Sequence, residues 1–347
     1  MKTIKDIAKL ANISAGTVDR VLHNRGGVSE KTKKLVNQII KDSGFEPNLI
    51  GRNLKLNKEY NLVVLIPFSN EDSPFWIFPK QGIEKAIKEV SHFGAKVDVR
   101  YFDQYDPKSF EKELVAVLSL EGVDGLIISP HFVKESIKHK NLFKKLKVPY
   151  TFINTDLDGF NNASFVGQDS FKSGYLSAKL FDISQTKEST ILIITALQEI
   201  ENYHILDSRI KGFRKYFEEK PSSLLKIETL EIAKFGENIT KDLTKKLITN
   251  NDIKGIFVPS IKINIVAEYL DEFEIEMDTV VGYDLTIDNL KYLKSGVITF
   301  LIGQEPFNQG YNSVKLMFDH LAHNTDLKSK YISPIHVIVK ENSEYHI

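Results

Sequence analysis

Residues 3–24 read TIKDIAKLANISAGTVDRVLHN, and this pattern predicts the structure of the amino-terminal part of the chain. Apolar residues recur from Ile4 to Ala11 with the i, i+3, i+4, i+7 spacing of one helix face. A short polar turn follows, and Ser14 stands where the N-cap of a second helix is expected. The stretch therefore predicts two short helices joined by a tight turn.

A third helix is predicted after Ser29, with Leu35, Val36, Ile39 and Ile40 on its apolar face. Two short helices joined by a tight turn and followed by a third form the outline of a helix-turn-helix DNA-binding module. A three-helix bundle with a solvated basic surface has the same outline. The spacing of the apolar residues alone therefore leaves both interpretations open.

The charge of the chain is divided unevenly between its two parts. The 347 residues carry 46 basic and 46 acidic side chains. Residues 1–58, called the head, hold 12 Lys and Arg against 5 Asp and Glu, whereas residues 59–347, called the body, hold 34 against 41. A net charge of +7 on the head and −7 on the body indicates an anionic partner at one end only.

The composition is typical of a folded protein from a reducing compartment. Hydrophobic residues make up 42% and charged residues 27% of the chain, which argues against disorder and fibrous repeats. Cysteine is absent, which excludes disulfides and thiolate metal sites. The first residues lack the apolar run of a signal peptide, and no apolar stretch is long enough to span a bilayer. We therefore expect a cytoplasmic protein that does not bind membranes.

The head is similar in sequence to a known family. Its motifs resemble the LacI/GalR family of bacterial transcription regulators at TIKDIAKLANIS (3–14), TV (17–18), RVL (20–22), VSEKT (28–32), PN (47–48) and RNL (52–54). The resemblance runs nearly unbroken over residues 3–56. It implies a DNA-binding regulator whose second helix enters the major groove of operator DNA.

The resemblance also implies which residues contact DNA. Ala15, Gly16 and Arg20 match the family's base-reading positions. Further contacts with phosphates or bases are implied for Thr3, Ser14, Thr17, Asn24, Asn48 and Arg52. Arg20 is the candidate for bidentate guanine recognition, worth ~1–3 kcal/mol of discrimination, and a phosphate contact is the alternative. Ala15 and Gly16 can only touch a thymine methyl group or permit close backbone approach.

Residues 47–58 form the predicted linker. Pro47 suits the first position of a helix, because its missing N–H would have no partner there. By resemblance this is a hinge helix that orders on DNA, with Leu54 as the wedge that opens a base step in the minor groove. An ordinary linker leucine is the alternative. The predicted domains are thus a helix-turn-helix domain (1–46), the hinge (47–58) and an effector-binding and dimerisation domain (59–347).

Strands and helices alternate throughout the body. The predicted strands are 62–67, 96–102, 123–129, 149–154, 163–167, 190–195, 226–231, 254–258, 279–284, 297–302 and 335–340. Helices fall between most of them, among them 170–184 and 306–322. This rhythm predicts parallel sheets flanked by helices, and the length predicts two lobes. The body resembles the periplasmic sugar-binding fold, with two doubly wound parallel sheets, and by that analogy the lobe crossings lie near 161, 286 and 324.

Ligands of open α/β sheets bind beyond the carboxyl ends of the strands, and this rule selects candidate effector residues. Phe75 and Trp76 follow the first strand and could stack on a sugar ring, with core packing as the alternative. Asp169 precedes a helix, so an N-cap is an equally good interpretation. Arg209 and Asp284 match ligand-binding residues of sugar-binding relatives, although Arg209 could also be a surface helix charge. The remaining candidates are Asn154, Asp156, Ser260 and Gln304, the last as a ligand amide or an interlobe contact.

Two further features of the sequence concern the ligand and catalysis. Relatives often carry Asn-Asp where this chain has Ser260-Ile261, which predicts a different ligand or an apolar corner of the pocket. Nucleophile, phosphate-loop, dinucleotide and HExxH motifs are absent from the sequence. We therefore expect no catalysis, no metal and no cofactor.

Together these features predict a homodimeric regulator of the LacI type. Its affinity for a roughly palindromic operator is expected to depend on a small effector bound between two lobes. A sugar is favoured by Phe75, Trp76, Arg209 and Asp284, and a purine or other nonsugar effector is the alternative. A solute-binding receptor without DNA function is opposed by the basic head, and a carbohydrate hydrolase by the missing nucleophile motif.

Overall fold

Three helices and then alternating strands and helices follow one another along the chain, as the sequence predicts. The computed structural model describes residues 4–22, 26–43, 59–69, 74–185, 187–196, 204–220, 223–235 and 239–346. The chain divides into two units, Met1–Glu59 and Tyr60–Ile347.

The head consists of α1 (Ile4–Ala11), α2 (Ala15–Leu22) and α3 (Glu30–Ser43). The predicted caps are confirmed, since Ser14 Oγ accepts the N–H of Thr17 at 3.1 Å and Ser29 Oγ accepts that of Thr32 at 3.2 Å. Each cap satisfies one backbone donor that the first helical turn leaves without a partner.

The core of the head is formed by Ile7, Ala8, Ala11, Val18, Val21 and Val36. Ile39 and Ile40 pack against it from α3. Leu35, however, is 47% exposed, so its predicted place on the apolar face is wrong. The i, i+3, i+4 spacing of Val36, Ile39 and Ile40 defines the buried face, and Leu35 lies about 100° away from Val36 around the helix.

The body contains strands and helices in alternation. Its strands are β1 (Tyr60–Pro67), β2 (Ala95–Phe102), β3 (Gly125–Ile128), β4 (Tyr150–Ile153), β5 (Ser164–Gly167), β6 (Ser189–Ala196), β7 (Leu225–Ile232), β8 (Ile253–Phe257), β9 (Thr279–Tyr283), β10 (Phe300–Gly303), β11 (Lys330–Ile332) and β12 (His336–Ile338). Its α-helices are α4 (Ile77–Ser91), α5 (Pro107–Leu118), α6 (Val133–Lys138), α7 (Lys140–Lys145), α8 (Ser170–Ser184), α9 (His204–Glu218), α10 (Ile239–Thr249), α11 (Ile263–Glu272), α12 (Ile287–Ser295) and α13 (Pro306–His323). Two 3₁₀ segments cover Pro74–Trp76 and Lys340–His346. None of the helices in the described ranges has the length and apolar character needed to cross a membrane.

The strands form two six-stranded sheets. The first has the order β11-β5-β4-β3-β1-β2 and is parallel, and the second has the order β12-β10-β9-β8-β6-β7 with only β12 antiparallel. In each sheet the first strand, β1 or β6, lies next to an edge strand, and the strand order reverses beside it. Two doubly wound sheets are what the sequence predicts, and ligands bind at such reversal points.

Both faces of each sheet are covered. On β1, Leu62, Val64 and Ile66 enter one core cluster while Val63 and Leu65 enter another on the opposite face. This division follows from the alternation of side chains along a strand. It explains why inner strands such as β1 and β6 are largely apolar runs rather than alternating ones.

The chain passes between the two sheets three times. It leaves the first sheet after β5 at residues 168–169 and returns to the first lobe after β10 at residues 304–305. It leaves again between β11 and β12 at residues 333–335. The lobes are therefore joined by three short segments.

The crossings predicted near Asn161, Thr286 and Asn324 are each too early in the chain. β5 follows Asn161 and still pairs with β4 in the first sheet. The helix after Thr286 packs on the second lobe through Tyr292 and Leu293. β11 follows Asn324 and adds to the first sheet before the last crossing.

Each lobe contributes one helix to the other. α8 follows β5 of the first sheet and packs on α9, while α13 follows β10 of the second sheet and packs on α4. Glycines allow both helix pairs to touch. A Cβ atom on Gly174 would lie 1.9 Å from the Arg209 carbonyl oxygen, and one on Gly310 would lie 2.0 Å from that of Pro79. Since real Cβ atoms cannot approach so closely, these backbones need glycine to meet.

Candidate nucleic-acid interface and effector site

The exposed face of α2 is the candidate DNA-reading surface. Successive helical residues are rotated by about 100°, which places Ala15, Gly16 and Arg20 on one side of α2 and Val18 and Val21 on the other. Val18 and Val21 are buried, whereas Ala15, Gly16 and Arg20 are exposed. The three positions predicted to face bases therefore share one accessible surface.

Ser14 and Thr17 hold the start of this surface in place. Besides the cap, their hydroxyl oxygens lie 2.9 Å apart. A hydroxyl group has one donor and two acceptor sites, so one of the two hydroxyls donates to the other and the second can still donate to a phosphate. The capping role is compatible with the predicted DNA contact.

The other predicted DNA contacts cannot be placed in the same way. Thr3, Asn24, Asn48, Arg52 and Leu54 lie outside the described residues.

In the body, buried polar side chains gather beyond the carboxyl ends of the strands. Asn154 follows β4, Asp284 follows β9 and Gln304 follows β10, and all three are buried. β4 and β9 occupy equivalent places in the two sheets, and Asn154 and Asp284 share left-handed backbone conformations, with φ of 66° and 67°. Asn and Asp tolerate this conformation better than other residues with a side chain. The two lobes thus present equivalent polar groups.

Asp284 is a buried carboxylate held by Gln304. Gln304 Nε2 donates to both carboxylate oxygens, at 3.0 and 3.1 Å. Burial raises the pKa of Asp284 to about 6, although Arg209 and Gln304 favour the charged form. The group is therefore ionised at neutral pH, and its lone pairs can accept further hydrogen bonds from hydroxyl groups.

Arg209 lies on α9 and is only 3% exposed. Its Nη1 donates to the Pro259 carbonyl oxygen at 2.8 Å, and its guanidinium carbon lies 3.6 Å from the centre of the Tyr283 ring. Its Nε has no hydrogen-bond partner among the residues described. A surface helix charge, the alternative interpretation from sequence, does not fit this buried side chain.

A hydrogen-bond chain connects the equivalent residues of the two lobes. Asn154 Nδ2 donates to Gln309 Oε1 at 3.4 Å, and Gln309 Nε2 donates to the Gln304 carbonyl oxygen at 2.8 Å. Gln304 then donates to Asp284, as described above. We call these four residues the interlobe chain. Of the two roles that the sequence allowed for Gln304, a ligand amide or an interlobe contact, the structure shows the interlobe contact. The side chain of Gln304 also orients the Asp284 carboxylate.

Phe75 and Trp76 lie in the 3₁₀ segment after β1. Their rings meet edge to face with centroids 5.4 Å apart, and both belong to the core of the first lobe. Trp76 is fully buried, so core packing describes it in this structure. Ile261 of the second lobe packs against the same cluster, which makes this corner apolar.

Three other candidates have partners in the surrounding structure. Asp156 forms an ion pair with Lys330 at 2.6 Å. Asp169 caps α8 by accepting the N–H of Lys172 at 2.9 Å. Ser260 Oγ accepts the backbone N–H two residues further on, at 3.3 Å. These contacts give each side chain a role that does not require a ligand.

Gln168 was not predicted and ties the three crossings together. Its Nε2 donates to the carbonyl oxygens of Gly303 at 3.0 Å and Pro334 at 2.9 Å. The sequence contains a signal for it, because Gly167-Gln168-Asp169 and Gly303-Gln304-Glu305 repeat one pattern directly after β5 and β10. Gln309 has no comparable signal.

A buried histidine follows β3 in the first lobe. Burial lowers the pKa of His131, which follows β3, to about 3, so this histidine is neutral at physiological pH. No group of three His, Cys, Asp or Glu side chains in the described ranges is arranged to hold a metal ion.

A cavity of about 570 Å³ opens beside the second crossing. Asp284 and Gln304 line it together with Phe78 of α4, Phe307 of α13 and His336 of β12. Its walls therefore come from both lobes. The cavity reaches the interlobe chain from the Asp284 side.

Comparison with known proteins identifies the family. Residues 3–48 match the model of bacterial regulatory proteins, lacI family, and residues 63–325 match the periplasmic binding protein domain. The ribose operon repressor of Lactococcus lactis subsp. lactis (strain IL1403) is 26% identical to this chain, with 98% of both chains covered. The HTH-type transcriptional regulator MalR of Clostridium butyricum is 27% identical, with 99% of both covered. The chain belongs to the LacI family.

Solved structures share the body of this LacI-family protein. A structure described as a LacI transcriptional regulator from Bacteroides fragilis has a TM-score of 0.74 and 28% identity, covering 83% of this chain and 99% of that one. GanP, a glucose-galactose binding protein from Geobacillus stearothermophilus, has a TM-score of 0.68 and 20% identity, covering 82% and 99%. The second likeness concerns the fold alone. The predicted fold class, a helix-turn-helix head with a two-lobed periplasmic-binding-like body, is confirmed.

Membership of the LacI family makes the head a DNA-binding module. The net charge of +7 on residues 1–58 is what binding to a phosphate backbone requires. This LacI-family protein is accordingly a transcription regulator.

Proposed function

We propose that this regulator binds a small sugar between its lobes and that the sugar changes its affinity for operator DNA. The observation that carries the proposal is a set of buried polar groups at or near the carboxyl ends of the strands of both lobes. Asn154 Oδ1 and Arg209 Nε have no partner in the described structure, and an unsatisfied buried polar group costs about 1–3 kcal/mol. A bound ligand would supply the missing partners.

The chemistry of these groups suits vicinal hydroxyls. A hydroxyl both donates and accepts, so it can donate to Asp284 or Asn154 and accept from Arg209. The net charge of the Arg209 and Asp284 pair is zero, which favours a neutral ligand. The similarity to a protein named as a ribose operon repressor also supports a sugar. A purine is the alternative ligand.

In the head, Ala15, Gly16 and Arg20 read base edges in the major groove. Two copies of the protein form a homodimer in the cytoplasm, and each head reads one half of a roughly palindromic operator. The hinge at 47–58, with Leu54, orders on the DNA between the two half-sites. Effector binding changes the lobe arrangement and thereby operator affinity, and the effect is reciprocal.

Calorimetric titration with monosaccharides, oligosaccharides and purines tests the effector assignment. We expect one sugar to bind the parent protein and an Arg209→Ala variant to lose that binding. Arg214→Ala, on the same helix but exposed and bonded to Thr229, is the matched control and should bind as the parent does. Binding of a purine alone would replace the sugar by the alternative ligand.

A gel-shift assay with genomic fragments at two salt concentrations tests the DNA assignment. We expect selected fragments to bind and the affinity to fall steeply with salt. A protein that binds the sugar but no DNA fragment would be a solute-binding receptor, and the regulatory proposal would fail.

A further inference from the structure

The first lobe carries a strongly basic segment that the DNA-reading head does not explain. Residues 133–148 contain six lysines and one glutamate, although the body is acidic overall. The segment forms α6, α7 and the loop that leads into β4. Its exposed lysines are Lys134, Lys138, Lys144, Lys145 and Lys147.

Neighbouring side chains neutralise only part of this charge. Lys138 forms an ion pair with Glu111 at 2.5 Å. Lys144, Lys145 and Lys147, here called the lysine triplet, form no ion pair with any carboxylate in the described part of the chain. The triplet therefore presents three charges to solvent at one place.

The lysine triplet lies beside the amino-terminal ends of the parallel strands of the first sheet. Lys147 precedes Tyr150, the first residue of β4, by three positions, and only β3 separates β4 from β1. Neighbouring strands lie about 4.8 Å apart, so Tyr150 lies roughly 10 Å from Val63, the residue of β1 that is level with it. The chain enters β1 at Tyr60, directly from the linker to the head.

The length of the linker limits the distance between the head and the start of β1. The linker at 47–58 can span at most about 40 Å even when fully extended. A duplex that continues beyond the site bound by the head carries one negative charge per about 1.7 Å of its axis. Lysine side chains bind such phosphates without regard to sequence.

We propose that the lysine triplet binds the phosphate backbone of DNA that flanks the operator. The proposal rests on the DNA-reading function of the head. It adds a contact made by the body, which strengthens binding without changing which sequence is read. An acidic protein partner of the triplet would leave DNA affinity untouched and is separated from this proposal by the same test.

The test compares the full-length parent with a Lys144→Gln/Lys145→Gln/Lys147→Gln variant on two duplexes. Both contain one operator, recovered by selection of genomic fragments with the parent. The first is trimmed to about 20 bp, roughly two helical turns, and the second extends to about 50 bp. A control variant, Lys241→Gln/Lys245→Gln/Lys254→Gln, removes three exposed lysines from the second lobe.

We expect the triplet variant to bind the long duplex roughly tenfold more weakly than the parent, with a salt slope smaller by about one for each phosphate contact removed. On the short duplex the two proteins should bind equally, and the control variant should match the parent on both. Equal affinity of the parent and the triplet variant for the long duplex would overturn the proposal, as would an equal loss in the control variant. Failure to recover any genomic fragment would instead refute the DNA-reading function itself.

Discussion

Asp284 determines most of the electrostatics of the candidate effector site. Burial raises its pKa in the folded protein to about 6, whereas an aspartate in an unfolded chain has a pKa near about 3.9. Folding therefore disfavours the ionised form of this group. Its contribution to stability is fully present below pH about 4 and is lost as the pH rises through about 6.

An Asp284→Asn variant should show this effect directly. The unfolding free energy of the parent should fall between pH 4 and 7 by at most about 3 kcal/mol. Because asparagine stays neutral, the variant should not show this fall. Denaturant titration at several pH values measures the difference. Glu228→Gln is the control, because the hydrogen bond from Lys246 lowers the pKa of Glu228 instead of raising it, and this variant should still show the fall between pH 4 and 7. Equal pH profiles for Asp284→Asn and the parent would contradict the raised pKa.

Replacement of Arg20 should change how strongly the protein prefers operator DNA to random DNA. If it contacts guanine, Arg20→Ala relaxes the preference for operator over random DNA by about 1–3 kcal/mol, while binding to random DNA weakens less. Competition binding on both kinds of duplex measures the two affinities. An equal loss on all sequences would show that Arg20 contacts a phosphate instead.

Sequence reasoning placed candidate residues at the ends of strands, where the structure has them, but did not predict the hydrogen bonds between them. Asp284 and Gln304 were selected because ligand sites of parallel sheets lie at the carboxyl ends of strands, whereas Arg209 was selected because its motif resembles that of sugar-binding relatives. Gln309 could not be predicted, since it neither follows a strand nor matches a motif of the sugar-binding relatives. Its role arises only because α13, the helix that carries it, packs on the opposite lobe.

At the scale of elements, local periodicity predicts helices well and their packing partners poorly. The helix predicted at 170–184 is observed at Ser170–Ser184, and the one predicted at 306–322 at Pro306–His323. Local start signals help to set these bounds, because Asp169 caps the first helix and Pro306 begins the second. The lobe on which each helix packs depends instead on residues far apart in sequence, such as Phe307 and Gly82.

The crossing of α4 and α13 gives the prediction for this scale. In Gly310→Ala the added methyl group would lie 2.0 Å from the Pro79 carbonyl oxygen, so the helices must separate. We expect the unfolding free energy to fall by about 1–3 kcal/mol, as for other overpacked cores. Gly26→Ala, whose methyl group would meet no atom within 4 Å, is the matched control. Equal stability of both variants would show that the helix contact can adjust without cost.

At the scale of the whole molecule, the three crossings between the lobes determine which segments line the candidate effector site. The third crossing was misplaced because β11 was not predicted. Lys330-Tyr331-Ile332 is only three residues long and largely solvent-facing, so it lacks the apolar run that marks the other strands. Pairing with β5 makes it a strand, and that pairing is invisible in the local sequence.

The interlobe chain predicts how the lobes communicate. Gln309 is fully buried and is the only one of the four residues in the chain that lies within a helix. In Gln309→Leu, Asn154 and the Gln304 carbonyl oxygen both lose their partner, so the strand ends of the two lobes are no longer linked through α13. We expect the sugar to bind with altered affinity and to change operator affinity by a smaller factor than in the parent. Because this coupling is reciprocal, the operator should also change sugar affinity by the same smaller factor.

Titrating the sugar with and without operator DNA measures this coupling factor, which a general loss of stability does not alter. Asn308→Ala, the exposed neighbour that bonds Glu305, is the control and should keep the coupling factor of the parent. An unchanged factor in Gln309→Leu would mean that the lobes are coupled by the three crossings alone. In that case Gln168, which joins those crossings through Gly303 and Pro334, is the residue whose replacement should reduce the factor.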